Sequence, residues 1–276
     1  MFSLIKAPEQ TLEFLSEIRR RADKWSLFID LSQVEIIDPE AVAAFVAVVE
    51  SRRFAVRGNQ PLDDNCRRRL HDFGFFNLVN GVPTEEASGE FRMKHVGTKV
   101  DTKSVQSLIA FGMKQLKLDE KHGPSYRMFC EAISNTYQHA DRSHSGTKRW
   151  WAHAYYDAAR DVVCFTSIDV GVGIVKSLER SQRIAELREW RIMGFSQGER
   201  LKRLLEGVTI PSRTGEPHRG RGLPSMREEC RQARIKNLVI ATNQALGRVS
   251  TDEYENLGCE FPGTIVYWEV EGTEEG

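Results

Sequence analysis

Residues 131–140 read EAISNTYQHA, and their spacing decides how the rest of the chain is read. Glu131, Asn135 and His139 are four residues apart, so on a helix each step turns about 400° and drifts by about 40°. All three project from one face. Phe129 and Ile133 lie roughly opposite, where they can enter a core. The stretch 124–140 is accordingly predicted helical, with Pro124 as an early helical residue. A carboxylate can take a proton from water, and an amide oxygen is a suitable hard ligand for magnesium. Alone, such a face is more often just a solvated one.

Three further stretches give this face a setting. SIDVGVGI (167–174) puts Asp169 at the end of an apolar strand, followed by Gly171 and Gly173. Glycines there permit positive φ and close approach of backbone to a ligand. The aspartate can accept a hydrogen bond from an exocyclic amine, and Ile174 can cover a flat ring. The plainer alternative is a strand-ending turn closed by an Asx bond. HRGRGLPSM (218–226) carries Gly220 and Gly222 before a helix expected from Pro224 through Ala233. A glycine-rich turn entering a helix is an anion site, because free amides and the helix dipole face outward. FPGT (261–264) opens the expected last strand and says little alone.

The remaining elements are read from periodicity. Glu9–Lys24 has helical apolar spacing at Leu12, Leu15 and Ile18. WSLFIDL (25–31) reads as a buried strand, and Asp38-Pro39 opens a helix over Ala41–Glu50 that Asp38 can cap. Phe54–Arg57 reads as a strand and Asp63–Phe73 as a helix ended by Gly74; the alternation suggests crossover units. Val79–Gly97, with its glycines and Pro83, is the expected boundary. Beyond it come a helix over Asp101–Leu118, a hairpin from Lys148–Tyr156 and Asp161–Asp169, a long charged helical stretch over Arg183–Glu206, and strands at Asn237–Thr242 and Thr264–Val270.

Taken in order, the four motifs resemble the GHKL (Bergerat-fold) ATP-binding superfamily. That group includes type II topoisomerase ATPase subunits, mismatch-repair ATPases, sensor histidine kinases and anti-sigma-factor serine kinases. Asn135 and Asp169 are 34 residues apart, and Gly173 and Gly222 are 49 apart, spacings that fit. The resemblance covers residues 97–270 and implies an α/β sandwich, a mixed sheet covered by helices, with an ATP lid over Val175–Arg219. It implies that Asn135 holds Mg²⁺ on the phosphates and Glu131 orients or deprotonates the attacking water. It puts His139 near phosphate, and Asp169 on the adenine amino group, with Gly171, Gly173 and Ile174 shaping the base pocket. Gly220, Arg221, Gly222 and Leu223 would line the phosphate cradle, and Thr264 would complete the water network around adenine. Arg213 and Arg221 are the expected stabilisers of transition-state charge, against the alternative of solvated lid charges. Pro224 and Ser225 depart from the G-x-G-L-G-L pattern and remove one phosphate-facing amide. No helical pair bearing a phosphoacceptor histidine precedes the ATP region, which argues against a sensor histidine kinase.

The stretch LFIDLSQVEIIDPEAVAAFVAVVE (27–50) is similar to STAS domains, the fold of anti-sigma-factor antagonists. Here Asp38 is followed by Pro39 and Glu40 rather than a phosphorylatable serine, and Ser32 and Ser51 do not replace it. Residues 1–90 are therefore expected to form a STAS-like interaction module without the phospho-switch. Together the resemblances imply a Mg-ATP-binding ATPase acting as an ATP-controlled regulatory module. A serine/threonine kinase in a partner-switching system and a non-hydrolysing ATP-binding module are the alternatives. A protein partner is expected through the STAS-like unit or the lid, and a homodimer is a further expectation because GHKL domains often dimerise.

Composition narrows the classes. Lys+Arg and Asp+Glu both number 39 in 276 residues, so the basic excess of a general nucleic-acid binder is missing. Arg19–Arg21 and Arg67–Arg69 read as solvated helix faces. The longest apolar run, Ala41–Val49, falls well short of the about 20 residues a membrane helix needs. Five scattered cysteines without a C-x-x-C pair read as free thiols in a reducing compartment, and His139, His144 and His153 lack ligand spacing for a metal. With no secretory signal in Met1–Gln10, the expected location is cytoplasmic.

Overall fold

The computed structural model describes residues 1–21, 26–51, 55–80, 92–99, 101–139, 149–180, 192–207 and 222–272. Helix α1 (Pro8–Arg20) turns Leu12, Leu15 and Ile18 inward, as their spacing predicts. Strands β1 (Ser26–Ile29), β2 (Ala55–Gly58) and β3 (Val79–Asn80) form a parallel sheet in that order, connected through α2 (Pro39–Glu50) and α3 (Asp64–Asp72). The Asp63 side chain accepts the Cys66 N–H at the start of α3, and Gly74 follows its end at φ 67°. Asp38 stands at the N-cap of α2 but makes no capping bond; it pairs instead with Lys6 at 3.4 Å and Arg69 at 3.6 Å.

Helix α2 is buried from Pro39 through Val49, which suits a helix that is apolar all round. Its side chains join Leu27, Ile29, Val56 and Val79 from the small sheet in one apolar cluster. The same cluster takes in Cys164, Ile168, Ile265 and Tyr267 from a second, larger sheet. That sheet has the order β4-β5-β6-β8-β7, from β4 (Arg92–Gly97), β5 (Trp150–Asp157), β6 (Val162–Asp169), β7 (Lys236–Arg248) and β8 (Glu253–Glu271).

Every pairing in the larger sheet is antiparallel, so the expectation of a mixed sheet is corrected. The reason is local: β5–β6 and β7–β8 are hairpins that pair antiparallel, and β4 also lies antiparallel on β5. Alternation along β6 sends Val163 and Phe165 to the other face, against α4 (Thr102–Gln115) and α5 (Gly123–His139). Helices thus cover both faces of this sheet.

Two further expectations change. The charged stretch over Arg183–Glu206 is not one continuous helix: Gly194, at φ 74°, precedes a capping box in which Ser196 and Glu199 start α7 (Gln197–Leu205) afresh. Thr264 does not open the last strand either. It lies deep inside β8, and the hairpin formed with β7 extends well past the apolar runs that marked both strands. No described helix is long and apolar enough to cross a membrane.

Candidate functional site

Helix α5 is fixed by its apolar side. Phe129 and Ile133 are fully buried, and the Phe129 ring packs edge-on against Trp268 at 4.6 Å and Phe165 at 5.6 Å. The indole of Trp268 donates to Ser125 Oγ at 3.1 Å, which sets the start of the helix over the sheet. With that side committed, Glu131 and Asn135 face the opposite way and are half-buried. His139 closes the same helix; its side chain lies outside the described residues.

Asparagine and aspartate then meet. A small cleft is lined by Asn135, Thr136, Asp169, Val172, Gly173, Ile174 and Thr264. An adjoining hollow adds Ala132, Ser167, Leu223 and Val266. The residues come from α5, the end of β6, the following turn, β8 and the first turn of α8 (Gly222–Arg231). Strand register brings two of them side by side, since Asp169 pairs with Thr264 at the end of the β6–β8 ladder.

Asp169 is buried, and its carboxylate accepts the Gly171 N–H at 2.8 Å and a long bond from Thr136 Oγ1 at 3.5 Å. The Gly171 contact is the Asx bond that the plainer reading of this turn required. Burial pushes the Asp169 carboxyl up to about 6; the Gly171 amide, the Thr264 hydroxyl, the Arg19 charge and Thr136 all act in the other direction. At neutral pH the carboxyl is therefore largely ionised, an acceptor in a recess it shares with Asn135, Thr136 and Thr264.

The turn after Asp169 is held from β7. Gly173 has φ 84°, and a Cβ there would come within 2.5 Å of the Asn243 amide, so no larger residue fits without displacement. Asn243 Nδ2 donates to the Val172 carbonyl at 2.7 Å, and its Oδ1 accepts the Lys176 N–H at 3.1 Å. Thr242 Oγ1 accepts the Ile174 N–H at 2.8 Å and donates to the Gly263 carbonyl at 3.1 Å. Ile174 thus starts α6 (Ile174–Arg180) with its side chain against the cleft. Sequence reasoning missed Thr136, Thr242 and Asn243. Thr136 adjoins Asn135 in the sequence, whereas the Thr242-Asn243 pair carries no local signal.

On the other side of the cleft, Gly222 lies against the Glu131 carboxylate, which would have to swing aside for a side chain there. The approach is held by Glu229 of α8, which pairs with Arg127 of α5 at 2.5 Å and with Arg234 at 2.8 Å. Desolvation raises the Glu131 carboxyl. Leu223 reaches the hollow next to Ala132. Gly220, Arg221 and Arg213 lie outside the described residues, as do residues 181–191 and 208–221 of the expected lid.

The other expectations are mixed. Arg20 and Arg21 pair with Glu17 on their own helix, as surface arginines do. Arg19 and Arg69 are corrected: both are half-buried, Arg69 donating to the Ile37 carbonyl at 2.7 Å. All five cysteines are free thiols. Among the described residues no cluster of three or more His, Cys, Asp or Glu side chains is poised to hold a metal. No known family model matches this sequence, and no curated protein matches it either.

Proposed function

We propose that this protein binds a magnesium–adenine nucleotide in the α5–β6–β8 cleft and acts as a GHKL-type, ATP-controlled regulatory module with a slow ATPase activity. One observation carries the reading. Asn135, Asp169, Gly173, Ile174, Leu223 and Thr264, from separate parts of the chain, border two adjoining hollows. Asp169 is the acceptor for an exocyclic amino group, and Thr264 and Thr136 supply hydroxyls beside it. Val172, Gly173 and Ile174 would wall the base, and Asn135, which borders both hollows, would meet the phosphates.

The donor set suits magnesium. This ion keeps waters and phosphate oxygens as ligands and needs only one or two protein oxygens, so Asn135 Oδ1 would suffice without an acidic cluster, none being found among the described residues. When bound, it would neutralise phosphate charge. Glu131, four residues before Asn135 and raised by desolvation, is the group to take a proton from water. Residues 1–90, in the STAS-like reading, are the interaction unit. Their helices pack against the far side of the sheet that carries Asp169, so a partner on that unit addresses the scaffold of the cleft.

The test uses labelled ATP and magnesium with purified protein, Glu131→Ala and Asn135→Ala. Slow phosphate release that falls by about 100-fold or more in Glu131→Ala is expected. Asn135→Ala should weaken the magnesium-dependent part of nucleotide affinity. Label transferred to a serine or threonine would replace the ATPase reading with a protein kinase, and nucleotide retention without turnover would leave a binding module.

A further inference from the structure

The hollow beside Asp169 continues inward over the sheet. Asp169 ends β6, and Ser167 stands two residues earlier on the same strand. Strand alternation puts both on one face, with Ser167 about 6.6 Å further from the turn. Its neighbours across the sheet are Ala152 of β5 and Val266 of β8, and Ile240 of β7 pairs with Val266 to complete the row. Ala132 of α5 and Leu223 of α8 border the same hollow. Phe165, next along this face, is fully buried against Phe129 and does not border it. Ser167 is thus the innermost β6 residue that lines the opening.

Apart from Ser167 the row is apolar, and a hydroxyl within it needs a reason. Ser167 is only 3% exposed. Among the described residues its hydroxyl makes no hydrogen bond to any side chain or backbone group. The other hydroxyls of the hollow do have protein partners. Thr136 Oγ1 donates to the Ala132 carbonyl at 3.1 Å, and Thr264 Oγ1 lies 3.3 Å from Thr242 Oγ1. A buried hydroxyl without a partner is costly, and this one borders space that a polar ligand atom can enter.

The chemistry of an exocyclic amino group supplies that atom. Such a group carries two hydrogens in the plane of the base, and the Asp169 carboxylate takes one. The second needs an acceptor, and a hydroxyl oxygen is one. Two acceptors about 2.9 Å from a single nitrogen, in directions about 120° apart, stand about 5 Å from each other. An aspartate and a serine at adjacent positions of one strand face can span that distance.

We propose that Ser167 is a second base-reading residue: its hydroxyl accepts the amino hydrogen that Asp169 leaves free, so the site selects a base with an unsubstituted exocyclic amino group. The inference rests on the adenine-nucleotide reading above and deepens it. A methyl group on the amino nitrogen would take the place of that hydrogen and leave Ser167 without a partner. A serine kept there only for its small size would be replaced by alanine with no change in binding.

The experiment titrates Mg·ADP, and Mg·ADP methylated on its amino nitrogen, into wild type and Ser167→Ala, each checked for cooperative melting. Wild type binds ADP about threefold to tenfold more tightly than the methylated form. Ser167→Ala weakens ADP by about the same factor, leaves the methylated form unaffected and so abolishes the preference. Equal binding of the two nucleotides by wild type would overturn the inference without recourse to the variant. An unchanged preference in folded Ser167→Ala would overturn it too. In either case ADP binding by wild type still supports the nucleotide reading. If wild type binds no ADP, both fall.

Discussion

Asp169 and Glu40 are buried carboxylates on opposite sides of the larger sheet, and burial raises both. The Asp169 carboxyl rises to about 6, and Glu40 at the start of α2 rises to about 7, with Asp38 adding to the effect of burial there. Their donors differ in kind. Glu40 Oε1 accepts Ser3 Oγ at 3.2 Å and the Leu4 N–H at 3.1 Å, so it ties the N-terminal segment to α2. Asp169 is met by donors from α5, β8 and its own turn, and it borders a cleft. The same physical cost serves a fold in one region and an opening for a ligand in the other. A raised pKa by itself therefore does not mark a site; the neighbouring space does.

The sharpest way to break this comparison is the pH dependence of stability. A carboxyl whose folded pKa lies above its unfolded value makes the folded state the better proton binder, so stability falls as pH rises between the two. For Glu40 that window runs from 4.5 to about 7. Between pH 5 and 8 it amounts to a loss on the order of 3 kcal/mol. Urea unfolding of Glu40→Gln should show a flatter pH dependence with nucleotide affinity unchanged. An unaltered slope would show that Glu40 does not take up a proton on folding over this range. Asp169 acts in the same direction on the free protein between 3.8 and about 6, but nucleotide affinity should rise over that range as the acceptor ionises. Stability and binding thus move oppositely with pH at one residue and not at the other.

Next in size is Gly173→Ala. The added methyl meets the Asn243 amide in a left-handed conformation, at a cost of about 1–2 kcal/mol from the backbone alone. Nucleotide affinity should fall with it, because the turn carries Val172 and Ile174. A calorimetric scan together with a binding titration would show both losses; a variant stable and fully active in binding would mean the turn does not line the base. The smallest effect is Thr242→Val, which leaves the Ile174 N–H without its acceptor and costs about 1 kcal/mol. Faster hydrogen exchange at Ile174, with the N-terminal unit unaffected, is the expected signature.

Much of the fold was legible because short-range chemistry sets it. The i, i+4 face of α5, the helix α3 with its Gly74 stop and the β5–β6 hairpin all follow from local spacing, whereas the expected Asp38 cap is spent on Lys6 and Arg69. The β7–β8 hairpin was half lost, since residues 243–263 mix polar and apolar side chains and gain their strand character from pairing with each other. Thr242 and Asn243 went unseen for the same reason: their value lies in which turn they face. Arg19 was masked by Arg20 and Arg21, although its place in the Leu12–Leu15 stripe was readable in the helical period.

Whether the Asp169 cleft holds an adenine nucleotide is decided by isothermal titration of Mg·ADP into wild type, Asp169→Ala and Glu40→Ala. Binding at one site per chain is expected, weakened about 10- to 100-fold by Asp169→Ala and unchanged by Glu40→Ala. No binding to wild type, or equal binding by wild type and folded Asp169→Ala, would contradict it.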